Sequence, residues 1–396
     1  MPAETASLYL SAAEAAAFLG VSRSTLYVYV SRKLIRSEAM PGDRSHRYWR
    51  ADVERIKRGP KSTVVASLED RLASESRLTL LTRGGQFYRG FDAIELSRHA
   101  SFEEVVLLLW EGEPGLFDEA FVADPVSARF LKQMTGWSAV DQALSLFPII
   151  ERADPRSYDL SPAGTMRTGA RVLRWFARLV GGNHHNPHLP LHEYLAKERH
   201  APTGFEQVIR ALLVLNADHE LDSSTYAVRA VANSGVPPYK AVMAGLISSE
   251  GQRFMRERIG PVRRLLHEIL KAREPEKIIH NRLRAGEYLP GFSASGHYHA
   301  DPRAFEIMDA LERWNGSDRE LLRLKRAALV ATDSAQLTMD FVVAASFIGY
   351  KLGMHGEELN LIRLSKMAGW IAHAMEQYRS GSPVHGRARY VGRLPG

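Results

Sequence analysis

The chain has no cysteine among its 396 residues, which excludes disulfides, thiolate nucleophiles and cysteine-bound metals together. It also has no apolar run approaching the roughly 20 residues that a membrane-spanning helix needs. Its opening stretch, MPAETASLYL, lacks the basic segment and apolar core of a secretory signal, so a cytoplasmic protein is expected. Aromatic residues amount to only 9%, yet hydrophobic residues reach 45%, enough for a large core in one or a few domains. Neither sign of charge is scarce, with 52 Lys and Arg against 45 Asp and Glu and a net charge of +7. That balance permits an anionic partner, nucleic acid or a phosphorylated cofactor, without choosing between them.

The first sixty residues have a character of their own. Ser11-Ala-Ala-Glu14 is a capping box that opens an Ala-rich helix over Ala12 to Leu19, Gly20 stops it, and Ser22 is placed to cap a second helix through Val30. Pro41-Gly42 then lies between short β-prone stretches within Arg36 to Arg50, and ADVERIKRG reads as a third helix ending at Gly59. A linker is expected over 60–69. Beyond it, apolar residues recur at helical spacing in Phe102 to Trp110, Phe205 to Leu215, Arg264 to Ala272 and Leu361 to Met375, so an all-α body is expected over 70–396. No internal repeat or low-complexity tract interrupts it. The tail from Arg379, RSGSPVHGRARYVGRLPG, is expected to be extended.

Helix, tight turn, helix, hairpin and helix is the order of a winged helix-turn-helix. LSAAEAAAFLGVSRSTLYVYVSRKLI followed by RYWRADV resembles the MerR and excisionase class of such DNA-binding domains, and residues 1–59 are assigned to it. Arg23, Ser24, Thr25 and Tyr27 fall at the start of the second helix, where base edges would be met. Arg32, Lys33, Arg44 and Arg47 surround it as candidate phosphate contacts. Tyr48 and Trp49 are expected to brace the wing.

The body carries FYRGFDAIEL, SFEEVVLLLW, LNADHELDSSTYAVRAVANSG, AGEYLPGF followed by DPRA, MDF, AGWIAHAMEQ and RARYVG, in that order. So many ordered blocks resemble the citrate synthase family. The resemblance implies a large helical domain and a small one (about 215–330), a homodimer, and a cleft where oxaloacetate meets acetyl-CoA or another acyl-CoA; no permanently bound cofactor is implied. A thioester methyl is a very weak acid, so a carboxylate must take its proton while donors stabilise the oxygen that becomes negative. Paired N–H groups of arginine suit the carboxylates of the second substrate.

Residue by residue, the resemblance makes Asp340 in MDF the catalytic base, His219 in DHE a contact to oxaloacetate and Arg303 in DPR a grip on its carboxylate. Leu289, Pro290, Gly291 and Phe292 match the backbone that lies beside the CoA adenine. Departures follow. Phe254 stands where the enol-stabilising histidine belongs, and in PGFSASGHYHADPRA, Ser293 and Ala294 replace a Gly-His pair. His297, three residues on, reaches that role only through a remodelled loop. Lys366 replaces one carboxylate-binding arginine, and His385-Gly386 replaces the Arg-Pro that precedes the tail's Arg387. Two missing donors, at roughly 3 kcal/mol of transition-state stabilisation each, leave little turnover.

The expectation is therefore a pseudoenzyme: a metabolite-sensing regulator, or a non-catalytic subunit of a hetero-oligomer, that binds oxaloacetate, citrate or an acyl-CoA and, through its head, DNA. A working citrate or methylcitrate synthase, alone or in a hetero-oligomer, is the alternative. His184, His185, His188 and His192 lie in GGNHHNPHLPLHEYL, whose prolines suggest a surface loop; their spacing fits no tetrahedral metal motif, and no metal is expected. Trp370, Ile371, Ala374 and Met375 are core by periodicity.

Overall fold

Helices begin where short polar side chains satisfy the free N–H groups of a first turn. The Ser11 hydroxyl accepts from Glu14 N while the Glu14 carboxylate accepts from Ser11 N at 2.7 Å, and Ser101 with Glu104 repeats the arrangement. The helices so opened, Ala12–Leu19 and Phe102–Trp110, are the ones that the sequence indicates. The computed structural model describes residues 9–32, 34–39, 45–57, 75–82, 85–118, 126–182, 189–251, 259–294, 301–380 and 384. The chain divides into two units, the first within residues 1–75 and the second spanning 76–384.

In the first unit, helices Ala12–Leu19, Arg23–Ser31 and Arg50–Lys57 accompany an antiparallel sheet in which His46–Trp49 lies between Tyr9–Ser11 and Ser37–Ala39. Leu10, Ala15, Leu26, Ile35, Tyr48 and Val53 form its own buried core. Gly20, at φ +71°, ends the first helix in a left-handed conformation that costs glycine little. The strand Tyr9–Ser11 escapes a sequence reading, because three residues are too few for alternation to show. Trp49 braces the sheet, with the Tyr9 ring edge-on at 5.0 Å and the Arg36 guanidinium 5.2 Å over it.

The second unit is a helical body around Asn360–Ser380, which packs on Pro162–Gly181, Ser223–Ala232, Pro238–Ser248, Glu206–Leu215 and Phe102–Trp110. A helix surrounded on all sides buries residues on every face, and Leu361, Leu364, Met367, Ala368, Trp370, Ile371 and Ala374 have no exposed surface. This helix runs to Ser380, so the extended tail does not begin at Arg379; the Tyr378 hydroxyl still donates to Val236 O at 2.6 Å and holds the last turn in place. His192 is also corrected. It is buried, at 4% exposure, in the first turn of Leu191–Glu198, because Leu191, Tyr194 and Leu195 give that helix an apolar face, and Pro190 starts the helix instead of marking a loop. His184, His185 and His188 lie outside the described residues. Short strands not foreseen pair Thr79–Thr82 with Gly85–Tyr88, and Phe292–Ala294 with Leu337–Met339.

Trp370 stacks directly on Gly245, where an added Cβ would sit 2.7 Å from ring carbons. Gly245→Ala is expected to cost about 1–3 kcal/mol through overpacking, read as a melting temperature several degrees lower in thermal denaturation. An unchanged melting temperature would show that the helices separate freely.

Candidate functional site

The Asp-His-Glu run does not lie on a helix. It forms a turn after Glu206–Leu215, with Glu220 at φ +53° and Asp218 wholly buried. A buried carboxylate must be matched by donors or cations. Thr79 Oγ1 donates to Asp218 Oδ2 at 2.5 Å, and His373 Nε2 lies 3.3 Å from Oδ1. Glu376 lies 3.5 Å from His373 Nδ1 and accepts from Arg229 at 3.0 Å and from Arg77 N at 2.8 Å. Burial pulls the His373 imidazole down, but Asp218 and Glu376 outweigh it and hold it above its ordinary range; burial likewise pushes Asp218 up, and His373, Thr79 and Lys366 bring it below normal. The main chain is clamped as well, with Gly369 N donating to Ala217 O and Gln86 Nε2 to Asp218 O, both at 2.8 Å.

This clamp presents His219, half-buried, beside Arg303, Lys366 and Asp301. Burial first, then Arg303 and Lys366, drive its pKa down to about 4, so at neutral pH it is an uncharged imidazole with one N–H to donate. Arg303 opens the helix Pro302–Asn315 and makes a two-pronged contact with Asp301, Nε to Oδ1 at 3.0 Å and a terminal N–H to Oδ2 at 2.8 Å. Lys366 is buried on Asn360–Ser380 and its ammonium pairs with Asp222; burial lowers its pKa to about 8, with Asp218 opposing. His219, Arg303 and Lys366 are thus brought together.

Asp340 joins them through its neighbour, since the Arg303 guanidinium lies 4.6 Å over the Phe341 ring. Asp340 sits at the start of Phe341–Lys351 without using its side chain to cap that helix. Its carboxylate instead accepts from Ser293 Oγ at 2.7 Å, and its N–H donates to Gly291 O at 2.8 Å. Gly291 is obligatory: its φ is +78° and a Cβ would lie 2.3 Å from Val343. Leu289, Pro290 and Phe292 are buried around it, so this stretch offers a ligand its backbone more than its side chains. Ala294 pairs with Leu337 across the strands. Phe254, His297, His385 and Arg387 lie outside the described residues.

On the head, Arg23, Ser24, Tyr27, Val28 and Arg32 share an exposed face, with Tyr27 at 51% and Val28 at 44% exposure. Thr25 and Ser24 bond through their hydroxyls to the capping Ser22 at 2.9 and 2.7 Å. Arg47 is engaged differently from the expectation of a phosphate contact, because it is paired with Glu38 at 2.8 Å and lies 4.1 Å over the Tyr9 ring. Lys33 and Arg44 lie outside the described residues. Residues 1–59 hold ten Lys and Arg against six Asp and Glu, a net of +4 within the chain's +7.

A sequence reading misses His373, Glu376, Arg229, Asp222 and Asp301. A signal was present: polar residues at i and i+3 inside an otherwise apolar helix have to find buried partners.

The family model described as citrate synthase, C-terminal domain, matches residues 67–389. The chain belongs to the citrate synthase family. A helix-turn-helix domain model matches residues 9–59. Among relatives, citrate synthase 2 of Bacillus subtilis is 26% identical, covering 83% of this chain and 96% of its own, and the 2-methylcitrate synthase of Mycobacterium tuberculosis is 24% identical, covering 78% and 86%. Of solved structures, citrate synthase from Pyrobaculum aerophilum aligns with a TM-score of 0.66 at 18% identity, covering 84% of this chain and 93% of that one. That from Thermoplasma acidophilum, in ternary complex with carboxymethyl coenzyme A and oxaloacetate, aligns with a TM-score of 0.60 at 17% identity, covering 84% and 97%. These likenesses establish the fold of the family. Among the described residues, no helix is long and apolar enough to cross a membrane.

The depressed pKa of His219 carries a sign. Its folded value of about 4 lies below an unfolded value near 6.5, so the unfolded chain binds the extra proton and stability falls as pH drops through that window. His219→Gln should therefore lose about 2 kcal/mol less stability than the wild type between pH 7.5 and pH 5, measured by urea unfolding at both values. Parallel losses in the two proteins would mean that His219 is not buried as a neutral ring.

Proposed function

We propose that this protein is a ligand-responsive DNA-binding regulator, built on a citrate synthase body with little catalytic power left. One observation carries the reading: groups suited to hold a 2-oxo acid, His219, Arg303 and Lys366, converge beside Asp340, while the sequence puts Phe254 and Ala294 where the family pattern has its two catalytic histidines. Binding needs the first set. Turnover needs both, because a carboxylate removes a proton from carbon only when neighbouring donors take up the charge that develops on oxygen.

On this reading oxaloacetate, citrate or a related acid enters by its carboxylate at Arg303 and its oxo or hydroxyl oxygen at His219. An acyl-CoA lies along the Leu289–Phe292 backbone. The chain acts as a homodimer, or as the non-catalytic half of a hetero-oligomer, and closure on ligand alters the spacing of paired heads on DNA. The excess of basic residues in 1–59 and the exposed Arg23, Ser24, Tyr27 and Arg32 support the DNA arm.

Two experiments test the two arms. With oxaloacetate and acetyl-CoA or propionyl-CoA, thiol release by the wild type should be near background, and the Phe254→His/Ala294→His double variant should gain at least a hundredfold. Normal wild-type turnover would instead make this a working citrate or methylcitrate synthase. For the head, Arg23→Ala/Arg32→Ala should weaken duplex binding and flatten its salt dependence by about one to two units of log–log slope, followed by mobility shift at several salt concentrations. An unaltered slope would place the DNA contact elsewhere.

A further inference from the structure

We propose that the anion pocket takes a 2-oxo acid carrying one carboxylate in preference to one carrying two, and that the Asp222–Lys366 pair sets this preference. The proposal rests on the reading above that the pocket binds a 2-oxo acid. A dicarboxylate needs a cation for each end. The described cations beside His219 are Arg303 and Lys366, and each already faces a carboxylate of the chain, Asp301 and Asp222 respectively.

The two pairs are not equivalent. A guanidinium has five N–H donors in a planar fork, and Asp301 occupies only the edge made by Nε and one terminal nitrogen. The remaining edge of Arg303 is left to grip one ligand carboxylate. Lys366 is a compact ammonium, and Asp222 holds it through Oδ2. Asp222 cannot swing aside, because its Oδ1 caps the helix Ser223–Ala232, accepting from Ser224 N at 3.1 Å, Thr225 N at 2.9 Å and Ser224 Oγ at 2.6 Å.

Exposure gives the order of approach. The Asp222 side chain is 40% exposed and that of Lys366 10%, so the carboxylate is the more accessible member of the pair. A second ligand carboxylate directed at Lys366 therefore meets a fixed negative charge. Asp218, wholly buried, adds another near the same lysine. Asp218 is matched by His373 and Thr79, while Arg303 faces Asp301 and Lys366 faces Asp222, so neither of these two described cations brings an unpaired charge to a second acid group. A neutral end, methyl or short alkyl, meets no such opposition.

Calorimetric titration of the full-length protein with pyruvate and with freshly prepared oxaloacetate, at pH 7.5 and low salt, tests this. Pyruvate should bind the wild type at least tenfold tighter than oxaloacetate. Asp222→Asn, which keeps an oxygen for the helix cap and leaves Lys366 without its counter-charge, should reverse the order. Melting temperature establishes that the variant folds, and Asp222→Ser, also a capping residue, replaces it if it does not. A wild type that binds oxaloacetate as tightly as pyruvate overturns the preference; a pyruvate preference unmoved by either variant overturns the role of Asp222. Failure of both acids to bind wild type and variant alike overturns the 2-oxo acid site itself.

Discussion

One buried carboxylate, Asp218, fixes the geometry around His219. An uncompensated charge removed from water costs several kcal/mol, so the turn that carries it can settle only where its donors are. These come from segments remote in sequence: Thr79 from an early strand, His373 from Asn360–Ser380, and Gly369 N and Gln86 for the adjoining carbonyls. Gly369 shows how close the approach is, since a Cβ there would lie 2.3 Å from Asp218 Oδ1. Clusters of this kind are poor sources of net stability and heavy penalties when broken. The penalty for misplacement keeps His219 beside Arg303 and Lys366.

The same scarcity of water decides protonation. His219, half-buried near two cations, has its pKa driven down to about 4; His373, one turn past Gly369, sits between Asp218 and Glu376, which raise its pKa against the pull of burial. The imidazole on the turn is thus driven toward its neutral form, and the one packed against Asp218 from the helix Asn360–Ser380 toward its charged form. Asp340 is arranged by a third device. Its main-chain N–H is tied to Gly291 O and one carboxylate oxygen to Ser293.

How much of this is legible in the sequence depends on whether the determinant is local. The capping box at Ser11 is read correctly because four consecutive residues contain the whole interaction. The helices of the body follow from spacing alone, and His219, Arg303 and Lys366 from ordered blocks. What fails is long-range. Nothing near Asp222 announces that its partner is Lys366, nor that Arg47 is held by Glu38 across a sheet whose third strand has only three residues. His192 was misread for a related reason: two prolines look like a loop until the apolar face of Leu191, Tyr194 and Leu195 is laid on a helix.

On the regulatory reading proposed above, the head would set a limit on how the protein signals. Its core is its own, and two of its arginines serve the fold, Arg36 on Asp52 and Arg47 on Glu38. Few charges on the exposed face of Arg23–Ser31 remain for phosphates, and single modules of this size bury little surface on DNA. Each phosphate contact removed lowers both affinity and its salt dependence, so on that reading one head would bind weakly and specificity would require two held at a fixed spacing. Joining two heads through a dimeric body would turn the second contact into an intramolecular event, worth orders of magnitude when the span fits and nothing when it does not. A ligand of the body would then act only through its differential affinity for the fitting and non-fitting states, and about 1.4 kcal/mol of that difference would move operator occupancy tenfold. Cations already paired, as Arg303 is with Asp301 and Lys366 with Asp222, would suit such a task, because modest affinity that depends on closure discriminates between states better than a strong, uniform grip on either.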